Sequence, residues 1–354
     1  MSKIRDVASH ARVSASTVSN VLNGRSDRMA RETLERVQAA IAALNYRPNT
    51  TARQLKTGHT PLLGLLVPSL ANPMYGAIAR EIETLAQERH GFRIMIGNTY
   101  RDKAKEARFF EDLVAHGVRG VVIISSLVDE QHFESAGVRG MVVVSYDRRS
   151  TPGVESRVDH VSVDNFEAAR LATAHLIGKG HRRIAFVTAA GMTMSRREKI
   201  NGFKAAAKQA GLAETAVVIE GTPLGEYGDS MMSEVGRIAA IELAARTKAQ
   251  RPTGILAVND VLAMGFMAGL RESGLEVPRD VSVVGMDDVF LSALTNPPLT
   301  TVHLPVREMA GTIVDRVMRR LSDRTIVPDE FIFQPRLVSR ASVAAPPAPQ
   351  KGAG

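Results

Sequence analysis

From residue 61 onward the chain alternates short, nearly continuous apolar runs with amphipathic stretches of helical period, and few folds accommodate that pattern. The apolar runs fall at 62–67, 93–97, 120–124, 141–145, 183–188, 216–220, 254–258 and 281–286. Helical stretches lie between them at 75–89, 103–116, 165–178, 196–211, 229–246 and 260–273. Strands that are apolar on both faces and are each followed by a helix form parallel sheets covered by helices on both sides. The pattern persists to about residue 340, too long for one sheet. The succession of strand, polar loop and helix that begins at Gly64 returns at Ile184, so two related α/β lobes are predicted.

Residues 4–44 have helical periodicity only. Ile4, Val7 and Ala8 share one face of a helix over 4–10, and residues 11–13 make a tight turn. Ser14 is placed to cap a second helix over 15–22, whose buried stripe is Val18, Val21 and Leu22 and whose outward residues are Ala15, Ser16, Ser19 and Asn20. A third helix over 31–44 turns Leu34, Val37, Ile41 and Leu44 inward. Two short helices joined by a three-residue turn and backed by a third form a helix-turn-helix, whose second helix fits the major groove of DNA. Charge supports that reading: residues 1–60 carry ten Lys and Arg against four Asp and Glu, whereas the whole chain has a net charge of only +8. A small basic module on a nearly neutral body points to a polyanion partner.

Other classes are excluded by what the residues lack. With no cysteine, there are no disulfides, thiolate nucleophiles or Cys-ligated metals. Lys3, Arg5 and Asp6 interrupt any secretory leader at the start, and no apolar run approaches the ~18 residues of a membrane span, so a cytoplasmic location with no membrane partner is expected. A nucleotide-dependent enzyme would want G-x-G-x-x-G or G-x-x-x-x-G-K-[ST], and a hydrolase G-x-S-x-G; none is present. The nine histidines show no H-E-x-x-H spacing, and adjacent Asp287 and Asp288 do not place two carboxylates in one cleft. No catalytic residue, metal or cofactor is expected. A transport-type sugar-binding protein would share the lobes but would need an export signal and no helix-turn-helix.

The runs IRDVASHARVSASTVSNVLNG and ETLERVQAAIAALNYRPNTTARQLKTG, followed by GLLVPSLANPMY, VDNFEAARLATAHLIGKGHRRIAFV, AVNDVLAMG, SVVGMDD and PPLTTV, stand in one order along about residues 3–340. Together they make the chain similar to the lactose and galactose repressor family of bacterial transcription regulators. The resemblance implies an α/β protein with an N-terminal helix-turn-helix three-helix domain (1–45), a hinge helix and linker (46–60), and a two-lobed periplasmic-binding-protein-like core with parallel sheets for ligand binding and dimerisation (61–340). The Pro- and Ala-containing tail, 341–354, is expected to be disordered and has no leucine heptad for higher assembly. The implied function is sequence-specific repression, with a homodimer on palindromic operator DNA controlled by a small-molecule effector, a sugar or sugar derivative fitting best.

Carried over position by position, the resemblance places DNA contacts at Ser14, Ala15, Ser16, Thr17, Asn20 and Asn23 along the recognition helix, at Arg12 in the turn, and at Asn49, Ala52, Arg53 and Leu55 in the hinge. Asn can bond adenine bidentately, Ser can bond most bases, and Ala offers only contact with a thymine methyl. Arg12 stands where the family usually has glycine, so either the turn differs or a phosphate contact offsets a strained backbone. Leu55 reads either as a packing residue or as a wedge between base steps of the minor groove, and the resemblance favours the wedge.

In a two-lobed α/β protein, ligands bind beyond the carboxyl ends of the strands. The polar residues there are Asn72, Tyr75, Tyr100, Asp147, Ser195, Lys199, Tyr227, Asn259 and Asp287. Asp and Asn bond hydroxyls through paired acceptors or a donor and acceptor, and aromatic rings cover apolar sugar faces. Asn259, Asp260 and Asp287 could equally cap helices; the resemblance favours ligand for Asn259 and Asp287 and a structural role for Asp260 and Asp288. Lys199 stands where the family commonly has Arg, three residues before Gly202, and a point charge does not reproduce a guanidinium fork. Arg196 and Arg197 either compensate or point to solvent. Leu304 occupies a position that can be polar in relatives, so sugar, sugar acid and purine all stay open.

Overall fold

The computed structural model describes residues 3–22, 29–46, 60–124, 140–150, 156–191, 193–221 and 231–347. The chain forms two compact units, Met1–Thr60 and Pro61–Gly354.

In the first unit, α1 (Ile4–His10), α2 (Ala15–Leu22) and α3 (Arg31–Ala43) enclose a core of Val7, Ala8, Ala11, Val18, Val37 and Ala40. Ile4, Val21, Leu22, Ile41 and Leu44 pack around it. Ala40 joins this core on the same face of α3 as Val37, Ile41 and Leu44, and Leu34 is half-buried. Ser14 Oγ accepts from Thr17 N at 3.1 Å and so satisfies one orphan amide of α2. The turn between α1 and α2 keeps the left-handed geometry although it lacks glycine. Arg12 has φ +52°, at a cost of roughly 1 kcal/mol relative to Gly.

The second unit has two lobes. The first contains β1 (Leu62–Val67), α4 (Pro73–His90), β2 (Arg93–Asn98), α5 (Lys103–Ala115), β3 (Gly120–Ile124), β4 (Val142–Tyr146) and β5 (Asp159–Val163). The second contains α6 (Asn165–Gly178), β6 (Ile184–Ala189), α7 (Met194–Gln209), β7 (Ala216–Gly221), α8 (Met232–Ala244), β8 (Gly254–Ala257), α9 (Asp260–Glu272), β9 (Ser282–Val284) and β10 (Thr301–His303). The chain then returns to the first lobe as α10 (Val306–Ser322) and β11 (Glu330–Phe333), and ends in the second with β12 (Arg336–Val338). The first sheet runs β11-β5-β4-β3-β1-β2 and the second β7-β6-β8-β9, all parallel, with β10 and β12 as an antiparallel pair.

The chain therefore crosses between the lobes three times, after β5, after β10 and after β11. A fully buried carboxylate fastens the returning elements: Asp159 of β5 accepts from Arg316 Nε at 2.8 Å, Arg320 Nη1 at 2.6 Å and Asp329 N at 3.1 Å. At the first crossover, Asp164 N donates to Phe333 O at 2.9 Å, and its side chain caps α6 by accepting from Glu167 N at 2.9 Å. The ordered chain also continues past residue 340. Val283 N donates to Ser342 O at 3.0 Å, and His181 bonds Ala344 O at 3.0 Å, so these residues of the expected disordered tail dock beside β9. Backbone pairing of this kind needs no side-chain periodicity and leaves little trace in sequence.

Candidate ligand cleft and DNA-reading helix

Parallel strands bring their carboxyl ends to one side of each sheet, and the loops that leave β1, β2 and β4 meet those leaving β6, β8 and β9 across a cleft. The cavity there has a volume of about 60 Å³. Its walls include Asn72, Tyr75, Asp147, Ser195, Lys199, Asn259 and Asp287, which the structure brings together from both lobes.

Each of these side chains is held by its own element. Asn72 Oδ1 caps α4 by accepting from Met74 N at 3.0 Å, and Asn259 Oδ1 caps α9 by accepting from Leu262 N at 2.9 Å. Capping thus uses the carbonyl of each amide and leaves its NH₂ as the group a ligand acceptor can meet. Asp147 Oδ1 accepts from Asn165 Nδ2 at 2.9 Å, which leaves the second carboxylate oxygen for a ligand donor. Lys199 Nζ donates to Val258 O at 3.2 Å. The cleft therefore offers donors and acceptors on both walls, with Tyr75 and Tyr146 beside them.

Backbone strain gathers at the same place. Of the non-glycine residues with positive φ, Tyr100 (+56°), Arg101 (+60°), Asp147 (+65°), Asp287 (+114°) and Asp288 (+53°) all stand at the carboxyl ends of strands. Such conformations cost roughly 1–3 kcal/mol each and persist where the surroundings over-determine them. Asp287 is pinned by donating its N–H to Val302 O at 2.9 Å. Beside it, Asp260 N donates to Met286 O at 2.7 Å, and Asp260 accepts from Ser292 Oγ, Thr301 Oγ1 and Val289 N at 2.6, 2.6 and 3.0 Å. Asp288 accepts from Arg340 at 2.6 Å and His303 at 2.9 Å. Asp260 and Asp288 brace the loop from behind while Asp287 faces the cleft.

Burial dominates the electrostatics. It holds the Asp287 carboxyl well above the usual carboxylate range; Lys199 opposes this, and Asp260 and Asp147 reinforce it. Burial likewise raises the Tyr75 phenol, opposed by Arg101, whose Nη2 donates to Tyr75 Oη at 3.3 Å. Glu198, on α7, is pushed up to about 7 by burial, with Asp147 and Asp164 adding to it against Arg149 and Arg197.

Of the other expected cleft residues, Tyr227 lies outside the described residues. Tyr100 is not in the lining; Lys105 Nζ stands 5.1 Å from the centre of its ring, and the next residue, Arg101, lines the cleft instead. Two successive left-handed residues decide which side chain of that pair turns inward, a choice hydropathy does not encode. Arg196 points inward as well: it is 7% exposed, its Nη1 donates to the carbonyls of Ala189, Ala190 and Gly191, and burial lowers it to about 10. Tyr146, Asn165 and Thr193 complete the polar lining; Tyr146 and Thr193 stand one and two residues from expected positions, whereas Asn165 comes from the start of α6. Leu304 contributes an apolar surface.

On the first unit, Arg12 and Ser14 are exposed in the turn before α2, Ser16 and Asn20 are exposed on α2, and Thr17 and Ala15 are half-buried, Ala15 packing against the core. Asn23, Asn49, Ala52, Arg53 and Leu55 lie outside the described residues. Among the described residues, no cluster of three or more His, Asp or Glu is arranged to hold a metal, and no helix is long and apolar enough to cross a membrane.

The fold and cleft define a two-lobed binding protein whose chain begins with a helix-turn-helix. Residues 3–49 match the model of bacterial regulatory proteins of the lacI family, and residues 173–343 that of the periplasmic binding protein-like domain. The chain is 32% identical over 348 residues to the HTH-type transcriptional repressor PurR of Aliivibrio fischeri, covering 97% of this chain and 98% of the relative. It is 31% identical over 350 residues to the HTH-type transcriptional regulator GalR of Escherichia coli, covering 98% and 97%. A crystal structure of the lac repressor dimer bound to operator and the anti-inducer ONPF is similar with a TM-score of 0.82 at 28% identity, covering 97% of this chain and 99% of that one. The chain belongs to the lacI family of bacterial regulatory proteins. It is a transcription regulator and not an enzyme.

Proposed function

We propose that this regulator is a cytoplasmic repressor that binds a palindromic operator as a homodimer, and that a small polyhydroxylated metabolite in the cleft controls its hold on DNA. The single observation that carries the effector reading is the cleft's donor and acceptor set. The amides of Asn72 and Asn259 have donors to offer and the carboxylates of Asp147 and Asp287 acceptors, on both lobes, beside two tyrosines. Alternating donors and acceptors next to aromatic faces suit a sugar or sugar derivative. Ser16 and Asn20 would read base edges, with Ala15 against a thymine methyl, Ser14, Thr17, Asn23 and Arg12 toward phosphates, and Asn49, Ala52, Arg53 and Leu55 in the minor groove. Domain limits of 1–45, 46–60 and 61–340 fit these roles.

Two-fold dimers impose two-fold symmetry on their operators. Selection from a random duplex library with the full chain is expected to return an inverted repeat. Recovery of only asymmetric or sequence-independent duplexes would overturn the reading.

A further inference from the structure

The strands β1 to β5 of the first lobe start along one edge of the sheet, and at this edge the chain passes from the first unit into the second. Pro61 immediately precedes β1, and its carbonyl accepts from Arg93 N, at the start of β2, at 2.9 Å. Arginines stand just ahead of neighbouring strands, Arg119 before β3 and Arg157 before β5, and α10 brings Arg320 and Arg324 to the same edge at its carboxyl end.

The packing shows how close these groups lie. A Cβ on Gly120 would stand 2.7 Å from Val317 Cγ1 and 3.3 Å from Leu321 Cδ1, both on α10, and 2.9 Å from Leu63 Cδ2 on β1. Arg119 is therefore beside the last turns of α10 and within a few residues of Pro61. Arg320 Nη2 donates to the carbonyl of Arg157 at 3.2 Å. Burial, together with the charges of Arg119 and Arg320, lowers Arg324 from its usual range.

Arg320 is engaged by Asp159, but Arg119, Arg157 and Arg324 are exposed and form no ion pair among the described residues. The carboxylates on the same segments are turned to their own chain: Asp323 accepts from Thr325 N at 2.9 Å and Thr325 Oγ1 at 2.6 Å, and Asp329 from Glu330 N at 2.8 Å. Among the described residues these like charges have no paired carboxylate, and like charges crowded at one edge repel one another. A guanidinium in this state is suited to the planar, bidentate recognition of phosphate.

We propose that this edge of the core is a second DNA contact, in which Arg119, Arg157 and Arg324 neutralise phosphates of the duplex held by the helix-turn-helix. The proposal rests on operator binding as described under Proposed function. It locates part of the polyanion affinity on the core, outside the basic N-terminal unit.

The test is the salt dependence of operator affinity for the full chain. Each phosphate contact contributes about 0.9 to the slope of log K against log salt. In the homodimer, Arg119→Gln with Arg324→Gln removes four phosphate contacts, two per protomer, and is expected to flatten the slope by about 3.6 and to cost more affinity at low salt than at high salt. Arg119→Lys with Arg324→Lys should retain the wild-type slope, because counterion release depends on charge. Arg324→Gln alone, at an exposed side chain with no ion pair among the described residues, removes one contact per protomer, should flatten it by about 1.8 and keeps the test open if the double variant misfolds. Equal slopes for wild type and the Gln variants, with operator binding intact, would overturn this contact and leave the proposed function standing. Absence of operator binding by the wild type would overturn both.

Discussion

Asp287 combines a φ of +114° with a carboxyl that burial pushes well above its usual range. Neither property helps the lobe fold, and Asp260 and Asp288 supply the bracing that keeps the loop in place. Strain and desolvation held at one side chain in a cleft are what a pre-organised ligand contact costs. Asp287→Asn keeps the shape and tolerates the left-handed backbone, but exchanges an acceptor pair for a donor and an acceptor. It should weaken effector binding by about 1.5–3 kcal/mol, roughly 10- to 150-fold, with unfolding nearly unchanged. Calorimetry with a panel of sugars, sugar acids and purines would identify the effector and measure the loss in one experiment. Unaltered affinity in the variant would mean that Asp287 only shapes the loop.

At the level of elements, the second lobe depends on backbones approaching more closely than side chains normally permit. A Cβ on Gly265 of α9 would run into the Ser233 carbonyl of α8, and one on Gly236 into the Leu262 carbonyl. The two helices meet backbone to backbone, and Gly265→Ala must push them apart. Overpacking of this kind typically costs about 1–3 kcal/mol, so the denaturant midpoint should fall while the helix content of the folded state is kept. An unchanged midpoint would show that the helices slide without penalty. Sequence periodicity revealed many of the elements because burial on both strand faces and one helix face repeats predictably, and β1, β3, β6 and α9 lie at or within a residue of the expected positions, whereas the 17-residue α10 was not among the expected helices. β5, β10, β11 and β12 escaped because they are three to five residues long and begin with polar or charged residues whose partners are distant, such as Asp159 with Arg316 and Arg320. In the cleft, the strand-end rule brought Asn72, Asp147, Asn259 and Asp287 together on paper. It could not choose Arg101 over Tyr100 or turn Arg196 inward, because those outcomes follow from local φ angles and from carbonyls that only the folded chain collects.

For the whole molecule, the decisive feature is that three crossovers join the lobes on one side of the cleft, while the chain enters the first lobe at Pro61. In the proposed function, an effector would close the cleft by turning one lobe against the other about those crossovers. In a dimer held through both lobes, the two Pro61 positions then change their spacing. Residues 49–56, in the proposed function, meet the minor groove beside the partner's segment. A change in spacing therefore alters the free energy of DNA binding. Linkage requires the effector and the operator to change one another's affinity by the same factor, in the range of about 5- to 150-fold for typical couplings of about 1–3 kcal/mol. Effector titration at one fixed salt concentration, with and without a saturating operator duplex, measures that factor directly. Leu55→Ala is expected to weaken operator binding far more than effector binding and to shrink the factor, because the proposed wedge would act in the DNA-bound state alone. An effector affinity indifferent to operator in the wild type would break the link between cleft and DNA, even if each site binds as proposed.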